Sequence, residues 1–259
     1  MLLDKGSRFD SRFESKEKLM TTLSVPIRAP LAPTLIASRW HTALLAALFL
    51  GFALSGALFQ HHAHIEPGAL QQHPNTVPLY LSLIVMEWGL VLYVWRGIRR
   101  SGTTTLREMI GGRWACPSDV LTDVVIALGC WGIWRLFEFS WNHWLGVGHA
   151  ASIDTLEPRS VAEGMLWIGV SISAGICEEL VFRGYFQRQF TAITRRASLA
   201  LVLQAALFGI GHGYQGMEAC VKIAIFGVGF ALLASWRKSL RPGMLAHAWT
   251  DIASGLLGF

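Results

Sequence analysis

Seven stretches of the chain, residues 41–59, 78–96, 120–141, 161–182, 198–217, 219–236 and 242–258, are each predominantly apolar. Each is close to the roughly 20 residues that a helix needs to cross the hydrocarbon core of a bilayer. Composition agrees: 53% of the residues are hydrophobic and 15% charged, where a soluble domain carries about a quarter charged. Glu87 in the second stretch, and Arg135 and Glu138 in the third, leave room for a count of six to eight. The fold class expected is an all-α, polytopic transmembrane helical bundle of about seven spans.

The chain divides into a polar tail over residues 1–38, a first set of membrane helices and loops over 39–150, and a second set over 151–259. The tail is too long and too acidic for the basic leader of a signal peptide, so the first apolar run is expected to stay as an anchor. Pro26, Pro30 and Pro33 discourage a continuous helix before Arg39. The net charge of +5 matters less than its placement. The loop after the first span lacks Lys and Arg, whereas Arg96, Arg99, Arg100, Arg107 and Arg113 follow the second. That asymmetry predicts a cytoplasmic amino terminus in a multi-pass protein of the cell membrane. Continued alternation puts Arg183, Arg188, Arg195 and Arg196, and later Arg237, Lys238 and Arg241, on the same side. The partner expected from composition is the lipid bilayer. No stacking surface or reader motif accompanies the charge, so nucleic acid is not expected. Cys116, Cys130, Cys177 and Cys220 form no CxxC pair and read as small apolar residues. His61, His62 and His64 read as a polar loop with only Glu66 nearby, a poor metal set.

Ionisable side chains inside a span cost several kcal/mol unless paired or hydrated, which makes them functional candidates. The second half carries Glu178, Glu179 and Arg183 in "CEELVFRGYF", His212 in "ALFGIGHGY", and His247 with Asp251 in "MLAHAWTDIA". On a helix, Glu179 and Arg183 lie one turn apart and can pair, while Glu178 is rotated by about 100° and points elsewhere. One carboxylate is thereby neutralised and the other is left to serve as a general base. His247 and Asp251 are also one turn apart, so the acid can orient the imidazole or face a substrate beside it.

Taken together, "EELVFR", "FGIGH" (Phe208 to His212) and "HAWTD" resemble the EExxxR, FxxxH and HxxxN/D motifs of the CPBP membrane proteases. That family includes the type II CAAX prenyl endopeptidases and bacterial relatives linked to bacteriocin immunity. The resemblance covers about the last hundred residues. It implies an intramembrane endopeptidase in which Glu178 activates a water that His212 also holds. Glu179 and Arg183 brace the site, and His247 with Asp251 stabilises the oxyanion. The family more often has Asn where Asp251 stands. An Asp donates there only when protonated, and otherwise accepts from His247.

No cofactor is expected from this resemblance. A zinc hydrolase using Glu178, His212 and His247 is the alternative, without an HExxH motif to support it. A non-catalytic immunity or transport protein is the third reading. The catalytic cavity is expected between the last four helices, opening to the cytoplasm. Simple alternation of spans sets His212 at the opposite end from Glu178 and His247. Bringing them to one level requires the fifth helix to start near Thr191 or to break at the glycines around His212.

Overall fold

The computed structural model describes residues 33–65, 75–145 and 157–258, without the side chains of 59–65. Within these residues the chain is helical, with no strand. The helices are α1 (Arg39–Ile65), α2 (Val77–Ser101), α3 (Leu106–Ile110), α4 (Pro117–Leu145) and α5 (Val161–Glu179). A π-helical stretch, Leu180–Phe186, joins α5 to α6 (Gln187–Thr194). There follow α7 (Ala197–Gly211), a 3-10 turn at Gly213–Gln215, α8 (Met217–Arg237) and α9 (Arg241–Leu257).

Each of the seven apolar stretches lies mainly in a helix, although the fifth leaves its helix at Gly211. Among the described residues five helical runs are long and apolar enough to cross a membrane: Arg39–Leu58, Val77–Ser101, Pro117–Leu145, Val161–Thr194 and Met217–Arg237. Helices α7 and α9 are shorter, at 15 and 17 residues. The distribution of side chains is that of a membrane protein. Val85, Ile133, Leu136 and Phe139 face outward, while Glu87, Ser171, Ser173, Glu179, Arg183 and His247 are buried. Hydrocarbon outside imposes no cost on the exposed apolar residues, and the polar ones must find partners within.

Local signals set the helix ends. Helix α1 begins at Arg39, after the proline-bearing stretch, and continues through His61, His62 and His64, so their backbone is the last turns of a helix instead of the expected loop. Their side chains lie outside the description, and so does Glu66. Helix α5 opens on a capping box, in which Ser160 accepts from the Glu163 N–H and Glu163 accepts from the Ser160 N–H. Helix α2 packs on α5, α5 on α9, α9 on α4, and α7 on both α6 and α8. Two of these crossings depend on glycine. A Cβ at Gly175 would stand 2.7 Å from the Ala248 nitrogen of α9, and one at Gly209 would collide with the Cys220 carbonyl of α8. Small residues allow this backbone approach, and membrane helices associate through such contacts.

The fourth apolar stretch is longer than its composition predicts. Arg183 reads as the polar end of a span over 161–182, yet the run continues unbroken to Thr194, 34 residues in all. Arg183 does not belong to a cytoplasmic loop; it is buried at 3% exposure. Because its charge is paired inside, the helix has no need to end there. The chain then reverses at Arg195, whose φ is 58°, and α7 returns beside α6. From Glu178 to Thr194 is a descent of about 24 Å, and from Ala197 to His212 an ascent of about 22 Å, at 1.5 Å per residue. The hairpin therefore returns His212 to the level of Glu178. Of the two repairs that the sequence left open, the fifth helix does not start earlier, and it does stop at Gly211.

Candidate active site

Glu179 has a fully buried side chain. Its Oε1 lies 2.9 Å from Arg183 Nη1 on the next turn and 3.3 Å from His247 Nδ1 on α9. The π-helical stretch holds Arg183 under the aromatic rings, its Cζ 4.3 Å from the centroid of Phe208 and 5.6 Å from that of Phe230. A guanidinium without water is stabilised by the ring faces as well as by the carboxylate. Stretches of π-helix recur at functional sites, where the wider turn changes the direction of side chains. Here the i+5 pattern is seen directly, as the Gln187 N–H bonds to the Phe182 carbonyl.

The imidazole of His247 is fixed on all sides. Phe230 stacks on it at 5.8 Å and 13°, and Phe226 meets it edge-on at 5.5 Å. With Nδ1 donating to Glu179, the other nitrogen faces the opposite way. His247 Nε2 lies 3.6 Å from Glu178 Oε2 and 3.6 Å from Asp251 Oδ2. Those separations exceed a direct hydrogen bond, so Nε2 is committed to neither acid.

His212 caps the end of α7, where its Nδ1 lies 2.9 Å from the Phe208 carbonyl. A carbonyl only accepts, so Nδ1 carries the proton and Nε2 of the neutral ring keeps its lone pair. Phe208 supports this arrangement, its ring edge-on to His212 at 5.0 Å and its other contacts on Arg183 and His247.

Glu178, His212, His247 and Asp251 line one cavity of about 350 Å³. Glu179 and Arg183 do not line it; they lie behind His247. Of the residues singled out in the sequence, four thus face a common void and two buttress it. The cavity is not confined to the last four helices as expected. Phe49 of α1, Glu87 of α2, and Trp131, Trp134, Arg135 and Glu138 of α4 also line it. The sequence showed Glu87, Arg135 and Glu138 as charges inside spans, which was the available signal, but nothing in their spacing tied them to residues 178–251. Glu87 is 5% exposed, and Arg135 Nη1 pairs with Glu138 Oε2 at 2.7 Å. The contact between Glu179 and His247, 68 positions apart, was also out of reach, and it takes the orienting role that spacing had offered to Asp251.

Among the described residues, no three His, Cys, Asp or Glu side chains are grouped so as to hold a metal ion. The set Glu178, His212 and His247 therefore does not fit zinc as it stands, although the Nδ1 bond of His212 to a carbonyl is a common setting for a metal ligand.

Neither the curated proteins nor the solved structures contain a match to the chain. A family model, described as type II CAAX prenyl endopeptidase Rce1-like, matches residues 161–253. That segment holds Glu178, Glu179, Arg183, His212, His247 and Asp251, while Glu87 and the Trp residues of α4 lie outside it. The three motifs thus lie in one stretch of sequence, and over residues 161–253 the chain is similar to the Rce1-like family of type II CAAX prenyl endopeptidases.

Proposed function

We propose that the protein is an intramembrane endopeptidase that hydrolyses a peptide bond of a membrane-associated substrate with a water activated by Glu178. The observation that carries this reading is the shared cavity, in which the Glu178 carboxylate and the two imidazoles of His212 and His247 line one void. Glu178 takes a proton from the water as its oxygen attacks the peptide carbonyl, and gives that proton to the departing amine as the C–N bond breaks. The lone pair of His212 Nε2 accepts the second O–H of the same water and directs its attack. His247, as the imidazolium, presents Nε2–H to the oxyanion, and a protonated Asp251 adds a second donor. Glu179 holds His247 in orientation through Nδ1, and Arg183 balances the charge of Glu179.

The substrate is a membrane-anchored protein or peptide, and the family name makes a prenylated CAAX tail the first probe to use. The reading needs no metal. Elemental analysis checks this: stoichiometric zinc, with activity lost on chelation and regained on zinc addition, would replace the water-activating Glu with a metal centre. On this reading the protein resides in the cell membrane with its amino terminus in the cytoplasm, which reporter fusions on each loop would test.

Terminal-peptide mapping of membrane proteomes from wild-type and Glu178→Gln cells tests the function. New amino and carboxyl termini present only with the wild type are expected. Identical termini in both would remove the peptidase reading.

A further inference from the structure

Two buried polar atoms of the cavity-lining residues have no hydrogen-bond partner among the described residues: Glu87 Oε2 and Trp131 Nε1. Glu87 of α2 lines the same cavity as Glu178, His247 and Asp251. Trp131 is held edge-on against Trp249 at 6.0 Å. An unpaired buried acceptor and an unpaired buried donor each cost about 1–3 kcal/mol. Groups retained at that cost are candidates for a partner that arrives later. The surrounding walls are apolar, with Leu83, Leu90, Trp134 and Phe226 among them.

A peptide bond offered for hydrolysis within a membrane has the complementary requirement. A helix conceals its N–H and C=O groups, so the scissile segment must unwind, and each freed group left unpaired in hydrocarbon costs several kcal/mol. We propose that Glu87 and Trp131 form a backbone-binding subsite for an unwound apolar peptide segment, Glu87 accepting one of its N–H groups and Trp131 Nε1 donating to one of its carbonyls. A carboxyl group keeps an acceptor whether or not it is ionised, so the role does not depend on the charge of Glu87. The subsite rests on the peptidase reading and specifies it: specificity comes from an extended backbone flanked by apolar side chains, held by helices α2 and α4 outside the family-matched segment.

The probe is a farnesylated CAAX-ended peptide with a fluorophore and quencher either side of the cut, together with its unfarnesylated counterpart. Glu87→Leu and Trp131→Phe are each expected to raise KM about tenfold, equivalent to about 1.4 kcal/mol, with kcat within about threefold of wild type. Glu87→Gln, whose amide oxygen still accepts, stays within about threefold in KM. Scanning a backbone ester across the peptide should raise KM for the wild type at one position and leave Glu87→Leu unaffected there. An unchanged KM in both variants, or a fall in kcat at constant KM, would overturn the subsite while leaving the peptidase in place. Binding of the peptide without cleavage, weakened by Glu87→Leu, would remove the peptidase and leave the subsite. Wild-type protein that does not bind the peptide overturns both.

Discussion

The helical runs Pro117–Leu145 and Val161–Thr194 have the same mean hydropathy, 1.6, yet 11% of the most apolar window of the first is buried in the bundle against 56% of the second. Each carries an acid and an arginine at helical spacing. In α4 the Arg135 and Glu138 side chains keep 33% and 25% exposure, whereas Arg183 and Glu179 have none. Hydropathy therefore reports that a segment tolerates lipid and says nothing of its depth in the bundle. What separates the two runs is small residues and partners. Gly175 admits α9 to the surface of α5, and His247 and Phe208 enclose the ion pair. The inner pair stands behind His247, away from the cavity, and the outer pair is part of the cavity lining.

The contrast can be broken by substitution. His212→Ala, which removes from the void the imidazole proposed to hold the water, should reduce turnover by about 10²- to 10⁴-fold with the melting temperature in detergent unchanged; a loss below about tenfold would detach His212 from the reaction. Glu179→Ala leaves a buried guanidinium uncompensated and should cost about 3–5 kcal/mol of stability, while Glu179→Met combined with Arg183→Leu recovers most of it. Thermal unfolding reads both, and an unaltered single variant would mean that the pair is not enclosed. Gly175→Leu drives a side chain into the α9 backbone and should cost about 1–3 kcal/mol, measured the same way. Arg135→Ala or Glu138→Ala, at the more open pair, should cost no more than about 1 kcal/mol. A cost equal to that of Glu179→Ala would erase the distinction drawn between the two helices.

Much of this architecture was legible in the residues. Apolar run lengths located the seven long helical segments, and three short motifs picked out Glu178, His212, His247 and Asp251, which line one cavity, because cost in lipid makes each misplaced charge conspicuous. Two kinds of information were not legible. One was the continuation of a helix through Arg183: a charge marks the end of a span only when it must reach water, and its pairing partner in space decides that. The other was the company that distant helices keep. Glu87 and Trp131 are plain residues of ordinary spans until α2 and α4 are packed against the site. The placement of His212 shows both at work, since its depth followed from the unexpected length of the helix before it and from the stop at Gly211.

The most direct test of the division between the adjacent acids compares Glu178→Gln with Glu179→Gln, following cleavage of the quenched CAAX peptide and thermal unfolding on the same preparations. The account predicts that the first loses turnover at wild-type stability, and that the second loses stability as its hold on Arg183 and His247 weakens. Turnover that survives in Glu178→Gln, or a melting loss that falls on that variant instead, would contradict it.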